Sequence, residues 1–384
     1  MARFSTFGDT RASGAASFVR VSSDPADMAE AWAQLEETGH ATVFQTRSWL
    51  RPWLDVVARA RGIEPVFILA SDAETGTPQM LLPLCRRRQG ALTSIEFADL
   101  GASDYNAPLI AADFDPTPTE FSALWSQVRR ALPPADILRI DKSPAMIAGA
   151  PNPLVGLAFM HRLTLGAWSL ALPATREAYE RGALSAHVRK ELRRKRRRLE
   201  TSGDLRLRQA RNAGEAVDML RDLADIRRAR YVALGRHDIL ADPAFLAFYE
   251  TLLRREDGLA EIHALEVGGL RVAALFGLHH AGAFHFLLSG FRSDEWAMKS
   301  VGSVAADMMI TQAIAGGLSH FDFTIGNAPY KRHFGAARHD LYGGAQALSY
   351  RALPQVAEHR IKGSLRTLLL NPPASPPSAP AHWR

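Results

Sequence analysis

The chain has 384 residues, of which 47% are apolar and 22% charged, a globular balance that excludes a disordered polymer and, at about 150 residues per domain, predicts two or three domains. Its single cysteine, Cys85, excludes an internal disulfide and a thiolate zinc site and fits a reducing cytoplasm. The net charge of +6 is concentrated in HVRKELRRKRRR, His187 to Arg198, where eight Lys or Arg face one Glu, so the rest of the chain is nearly neutral.

Residues 1–16, rich in Gly, Ser and Ala, read as a loose N-terminus without a signal-peptide core, and no uncharged apolar run reaches the roughly 18 residues of a membrane span. Helical periodicity then runs through Met28, Ala31, Trp32 and Leu35, and a second helix starts at Ser48. The stretches 64–71, 79–87, 91–98 and 106–112 read as an antiparallel meander, followed by a helix over 118–132 and the strand DILRIDK. Helices are predicted over 175–200, 213–234 and 243–254. Then EIHALEV, RVAALFGLHH and AFHFLLSGF form strands joined by turns at Gly268-Gly269 and Ala281-Gly282. A helix after Ser300 and the strand HFDFT complete the order strand, strand, strand, helix, strand. A helical extension occupies 351–370, and the tail 371–384, with five prolines in 14 residues, is expected to be disordered.

No G-x-S-x-G elbow, P-loop or G-x-G-x-x-G fingerprint is present, which leaves hydrolase, NTPase and dehydrogenase readings without residues. His263, His279, His280 and His285 lie on strands without a matching carboxylate spacing, so no metal site is expected. Ser300, Gly302 and Ser303 stand at a helix start, where free backbone N–H groups hold an anion such as a pyrophosphate or simply make a permissive turn. Ser289-Gly290 interrupts an apolar strand, as a bulge or as a plain strand end. Asp322 lies between phenylalanines and needs a partner or a polar cleft. Gly326, Tyr330 and Lys331 follow within nine residues. Tyr330 suits protonation of a departing thiolate and Lys331 stabilisation of an oxyanion, unless both sit in a solvated loop. In the basic segment Val188, Leu192 and Leu199 form a narrow apolar stripe, so one face docks and the other is solvated, with weak attraction to tRNA or another polyanion as its functional reading.

The combination of LSAHVRKELRRKRRRLETSGDLRLR, LLSGFRSDEW, the run from Ser300 to Gly317 and FDFTIGNAPYKRHFG resembles the CelD-like acetyltransferases of the GNAT superfamily, over roughly residues 20 to 350. That family is similar to FemAB-type aminoacyltransferases in having two tandem GNAT-like halves. The resemblance therefore implies an α+β fold with halves at 17–165 and 166–350, each a mostly antiparallel mixed sheet flanked by helices, the basic helix 185–200 belonging to the second. It also implies a part in cellulose or exopolysaccharide production. It places acyl-CoA, acetyl-CoA or another, on the segment Lys299 to Val304, where Lys299 and Gly302 match the pattern Q/R-x-x-G-x-G/A and Val304 stands in place of a small residue. Gly326, Tyr330 and Lys331 match the closing G-x-x-x-Y-K. LGASDYNAPL marks Asp104 and Tyr105 as acceptor-side residues.

The expected reaction is direct acyl transfer to a sugar or amino-sugar precursor. Amides near Ser289 and Gly290 polarise the thioester, Asp104 or His285 serves as base, and Tyr330 assists the leaving thiolate. Ser300 and Ser303 complete the donor site, and Asp322 and Gly326 the acceptor site. The alternatives are a Fem-like transfer from charged tRNA, contacted by helix 187–198, and a non-catalytic binding protein.

Overall fold

Short polar side chains open the helices of this chain. Thr117 and Glu120 make a reciprocal capping box in front of the helix Pro118–Ala131, Ser185 accepts from the Val188 N–H, and Asn212 accepts from the Glu215 N–H, each satisfying donors that the first turn leaves free. The computed structural model describes residues 5–6, 17–292, 296, 300–326 and 329–358. Lys299, most of 1–16, the tail 371–384 and the extension 351–370 beyond residue 358 lie outside the described residues.

In chain order the first half contains β1 (Ser5–Thr6), β2 (Ser17–Ser22), α1 (Ala29–Thr38), α2 (Arg47–Trp53) and α3 (Arg59–Arg61). It continues with β3 (Glu64–Asp72), β4 (Pro78–Gln89), β5 (Leu92–Phe97), β6 (Leu109–Ile110), α4 (Pro118–Ala131) and β7 (Ile137–Pro144). A small hairpin, β8 (Met146–Ile147) and β9 (Ala150–Pro151), leads to β10 (His161–Ala171). The second half contains α5 (Arg176–Gly182), α6 (Ala186–Glu200), β11 (Leu205–Gln209), α7 (Ala213–Ala233) and α8 (Pro243–Arg254). The strands β12 (Ala260–Val267), β13 (Leu270–His280) and β14 (Ala283–Phe291) follow, then α9 (Val301–Ala315), β15 (His320–Ile325) and β16 (Ala337–Ala347).

Two elements differ from the periodicity. The helix expected over 175–200 is broken between Gly182 and Ala186, where Ser185 turns its hydroxyl to the Val188 N–H and starts a new helix. The strand expected over 106–112 is reduced to Leu109–Ile110 paired with β4, because Pro108 offers no N–H to a ladder.

The strands form one mixed sheet in the order β1-β2-β3-β4-β5-β7-β16-β10-β15-β14-β13-β12-β11, with β6 beside β4. Among the described residues two pairs are parallel, β5 with β7 and β14 with β15. Each half thus repeats antiparallel strands, a helix, and a returning strand parallel to the one before the helix. The last strands are exchanged: β10 pairs with β15 of the second half, β16 pairs with β7 of the first, and the two pair with each other at the centre.

The largest apolar cluster also crosses between halves. Trp49 meets Phe248 at a ring distance of 4.9 Å, joining α2 to α8, and Trp53, Leu220 and Tyr249 complete the contact. Burying side chains of this size contributes about 1.5–3 kcal/mol each. No helix among the described residues is long and apolar enough to cross a membrane.

Candidate functional site

The parallel pair β14 and β15 is in register at Ala283/His320, Phe284/Phe321 and His285/Asp322, and there the pairing stops. Strand alternation turns Phe284, Phe286, Phe321 and Phe323 toward α9 and leaves His285, Asp322 and Thr324 on the opposite face. Across that face lies the segment after β5, held by three side chains of the first helices. Trp49 Nε1 donates to Ser103 Oγ at 3.2 Å, Trp53 Nε1 to the Asp99 carbonyl at 3.1 Å, and Gln45 Nε2 to the Tyr105 carbonyl at 2.9 Å. Asp104 and Tyr105 are thereby fixed over β15.

The outcome is a connected buried polar cluster. The Tyr105 hydroxyl lies 2.9 Å from each Asp322 oxygen, His285 Nδ1 is 2.9 Å from Asp322 Oδ2, and the Thr324 N–H donates to Asp322 Oδ1 at 2.7 Å. Three donors on one carboxylate meet the cost of burying its charge. Asp104 takes hydrogen bonds from the Thr324 hydroxyl and the Ile325 N–H, but burial outweighs them and its carboxyl is pushed up to about 6. Burial and the neighbouring Asp322 charge push the Tyr105 hydroxyl up, so it remains a donor.

Lys331 closes the end of β15. Its ammonium donates to the carbonyls of Phe323 at 2.9 Å, Thr324 at 3.2 Å and Ile325 at 2.8 Å, which engages its three protons. Burial brings it down to about 8 against the pull of Asp104 and Asp322. The strand end it clamps is left-handed at Thr324, φ 55°, and at Gly326, φ 128°. A Cβ on Gly326 would come to 3.3 Å from the Lys331 nitrogen, so the spacing from Gly326 to Lys331 is a local fit of backbone and cation. Tyr330, 40% exposed, leans edge-on against Phe323 and Phe334, and burial of part of the ring raises its hydroxyl.

Two hollows flank this point. A cavity of about 850 Å³ is lined by Tyr105, His285 and Asp322 together with His280, Ser169 and His339. With Nδ1 of His285 facing Asp322, the neutral ring that donates there keeps its lone pair on Nε2. On the open side of the diverging strands a groove of about 230 Å³ is lined by Ser289, Gly290, Phe291 and Tyr330. Gly290 rests on α7, where a Cβ would meet Leu223 at 2.8 Å.

Ser300 (φ 56°) precedes α9, and no side chain caps this helix. Gly302 lies under the Phe291 ring, which a Cβ would approach to 3.2 Å, and Lys195 of α6 reaches to 3.5 Å from Ser303 Oγ. A cation and uncapped N–H groups therefore meet at one helix start, an arrangement suited to a phosphate. Val304 is turned into the core, so its bulk is directed away from that start.

Of the residues singled out in the sequence, Asp104, Tyr105, His285, Asp322, Gly326 and Lys331 converge on one buried cluster, whereas Ser289, Gly290 and Tyr330 line the groove and Ser300, Gly302 and Ser303 form the helix start. His263 and His279 instead face Glu261, at 2.8 and 3.0 Å. Three participants have no motif of their own. Arg227 donates to both oxygens of Asp238 and to the Ser289 carbonyl at 3.0 Å; its signal is a charge on the apolar stripe Leu220, Leu223, Ala224 of α7. Thr324 shows only as a second polar residue alternating with phenylalanines. Lys195 is lost among its basic neighbours.

Residues 186–332 match the family described as Acetyltransferase (GNAT) domain. Among solved structures, FemX aligns over 85% of this chain and 98% of its own at 10% identity, with a TM-score of 0.59. The C-terminal domain (DUF2156) of a putative lysylphosphatidylglycerol synthetase from Agrobacterium fabrum covers 90% and 97% at 12% identity, TM-score 0.51. A conserved protein of unknown function from Bacteroides thetaiotaomicron covers 84% and 98% at 10% identity, TM-score 0.50. At such identities the likeness concerns the fold. No curated protein matches the sequence.

The fold is therefore the GNAT fold, α+β, in two tandem halves. The match to the acetyltransferase (GNAT) family lies within the second half, over residues 186–332.

Proposed function

We propose that this protein is an acyl-CoA-dependent N- or O-acyltransferase acting on a sugar or amino-sugar precursor, in the cytoplasm and in the service of exopolysaccharide or cellulose production. The observation that carries the reading is the parting of β14 and β15 directly beyond the His285–Asp322 pair, with a cavity on one side and a groove on the other. The donor enters by the groove, its phosphates at the start of α9 near Lys195, Ser300, Gly302 and Ser303, its pantetheine arm beside Ser289 and Gly290, and its thioester where β14 and β15 part beyond His285. The acceptor occupies the larger cavity, whose polar side chains include Ser169, His280, His285 and His339. His285, oriented by Asp322 and Tyr105, takes the acceptor's proton at Nε2. The acceptor attacks the carbonyl carbon, the C–S bond breaks, and Tyr330 protonates the thiolate. Lys331 acts as a positioning residue that fixes the end of β15, and Asp104 supports Thr324.

Incubation with acetyl-CoA and a panel of amino sugars and sugars should release free thiol, and His285→Ala should lower kcat about 10²–10⁴-fold, as loss of a general base does. A bound thioester at 100 times its dissociation constant should add about 2.7 kcal/mol of stability. Absence of both thiol release and thermal stabilisation across CoA thioesters would overturn the reading.

A Fem-like transfer from charged tRNA is favoured by one feature, the exposed arginines of α6. Arg193, Arg194 and Arg196 are 67%, 62% and 51% exposed, although each also meets a glutamate. Under that reading tRNA binding falls steeply with salt and is lost on neutralising Arg193 to Arg198.

A further inference from the structure

Strand register gathers imidazoles on the face of the sheet that carries the buried polar cluster. His285 of β14 stands opposite Asp322 of β15, and Leu278 of β13 stands opposite His285 on the other side. His280, two residues beyond Leu278, therefore shares the face of His285. Its own partner across the ladder is Ala283, which adds little bulk, and both rings line the cavity of about 850 Å³. Among the described residues the charges of that wall are matched. Asp322 takes three donors, and Asp340 pairs with Arg338 and Arg162. His339 meets Ser169 Oγ at 2.7 Å, and His320 meets Ser319 Oγ at 3.0 Å.

His280 and His285 each spend a ring proton on the protein. His285 turns Nδ1 to Asp322, and a ring nitrogen of His280 donates to the Ala41 carbonyl. Burial, with the neighbouring His285 charge, holds His280 below the ordinary imidazole range, so its ring is neutral and its other nitrogen keeps a lone pair. Two acceptors thus stand side by side where the acceptor substrate sits. Diagonal neighbours on paired strands are about 7–8 Å apart, a span that two donors on adjacent carbon atoms close with a hydrogen bond of about 2.9 Å at each end. A substrate with a single donor group leaves one lone pair without a partner.

We propose that the acceptor is a vicinal amino alcohol, the unit found in a 2-amino sugar, with its amine at His285 and the hydroxyl of the next carbon donating to His280. The proposal rests on the transferase reading above. His280 decides specificity and takes no part in the chemistry: the amine nitrogen bonds to the thioester carbon, the C–S bond breaks, the amine proton passes to His285 Nε2, and the thiolate takes its proton from Tyr330.

Thiol release from acetyl-CoA by the full chain, with glucosamine, trans-2-aminocyclohexanol and cyclohexylamine as acceptors, tests it. The two amino alcohols should exceed cyclohexylamine in kcat/KM by at least about 10-fold, as expected where a site is built to accept a substrate hydroxyl. His280→Phe, which fills the space without an acceptor, should bring the ratio to about one through KM rather than kcat. His280→Gln, which keeps a donor for Ala41 and an acceptor for the hydroxyl, should retain part of the preference, and unchanged melting temperatures would show that both variants are folded. Equal kcat/KM for trans-2-aminocyclohexanol and cyclohexylamine in the natural protein overturns the proposal while leaving the transferase reading intact. A ratio that survives His280→Phe also overturns it, since the hydroxyl would then be read elsewhere. Absence of thiol release with all three amines overturns the proposal, and if CoA thioesters also fail to stabilise the protein the transferase reading falls with it.

Discussion

Asp104 holds a charge where water does not reach it well, and the pH dependence of that charge is measurable. Burial raises its carboxyl to about 6 from an ordinary 3.8, so the folded protein binds this proton more tightly than the unfolded chain does. The stability it contributes is complete below about 3.8 and is lost as pH rises through about 6. Asp104→Asn keeps an acceptor for the Thr324 hydroxyl and the Ile325 N–H but does not titrate. Urea midpoints of the natural protein minus those of the variant should therefore fall between pH 4 and 6, and a flat difference would contradict the assignment. Lys331 is the opposite case, brought down to about 8 from 10.5, so the stability it contributes is present above about 10.5 and lost as pH falls through 8. Truncation to Ala deprives three carbonyls of their donor and should cost about 1–3 kcal/mol for each one left without a partner.

At the scale of elements, the groove depends on how α7 lies against the end of β14. Arg227 ties them, its side chain 10% and that of Asp238 3% exposed, and removal of one partner from such a pair costs about 3–5 kcal/mol. Arg227→Ala should lower stability by that amount in chemical denaturation. Arg227→Met with Asp238→Leu should recover much of it, because the uncompensated charge is then gone. Gly290→Ala, which places a methyl group 2.8 Å from Leu223, should cost about 1–3 kcal/mol through overpacking and narrow the groove. The corresponding parallel pair of the first half, β5 and β7, opens on a hollow of about 220 Å³ whose walls carry paired charges that a donor would have to displace: Asp99 holds Lys142 at 2.7 Å and Asn106 at 2.6 Å, and Arg87 meets Glu96. One thioester per chain is therefore expected in a titration, and a stoichiometry of two would show that the first half binds as well.

For the whole molecule, the exchange of β10 and β16 makes each half incomplete without the other. β10 supplies the strand beside β15, β16 the strand beside β7, and the cluster joining Trp49 to Phe248 is built from both halves. Calorimetry should give a single transition with equal van't Hoff and calorimetric enthalpies. Segments 17–171 and 172–350, divided after β10, should remain unfolded when produced separately until mixed; two resolved transitions would show that the halves fold independently. The same exchange places the cavity of about 850 Å³ at the junction, so that Tyr105 of the first half and His285 of the second face one space.

The sequence by itself determined what depends on neighbours a few residues away. The 3.6-residue stripes, the turns at Gly268-Gly269 and Ala281-Gly282 and the spacing of Gly326 and Lys331 are local physics, and each is legible in the chain; the cap at Ser185 is equally local, yet the periodicity over 175–200 runs through it. The resemblance carried by the basic helix and the Gly326 to Lys331 segment extended this to the two-part α+β architecture. What only the tertiary structure decided is which distant residues meet. Tyr105 and Asp322 are 217 residues apart in sequence and 2.9 Å apart in space, Arg227 finds its carbonyl on another element, and the final strands cross between halves. Backbone propensity acts over a few residues, whereas strand pairing across the sheet is settled by burial and hydrogen-bond satisfaction of the whole chain, and those meetings are a consequence of it.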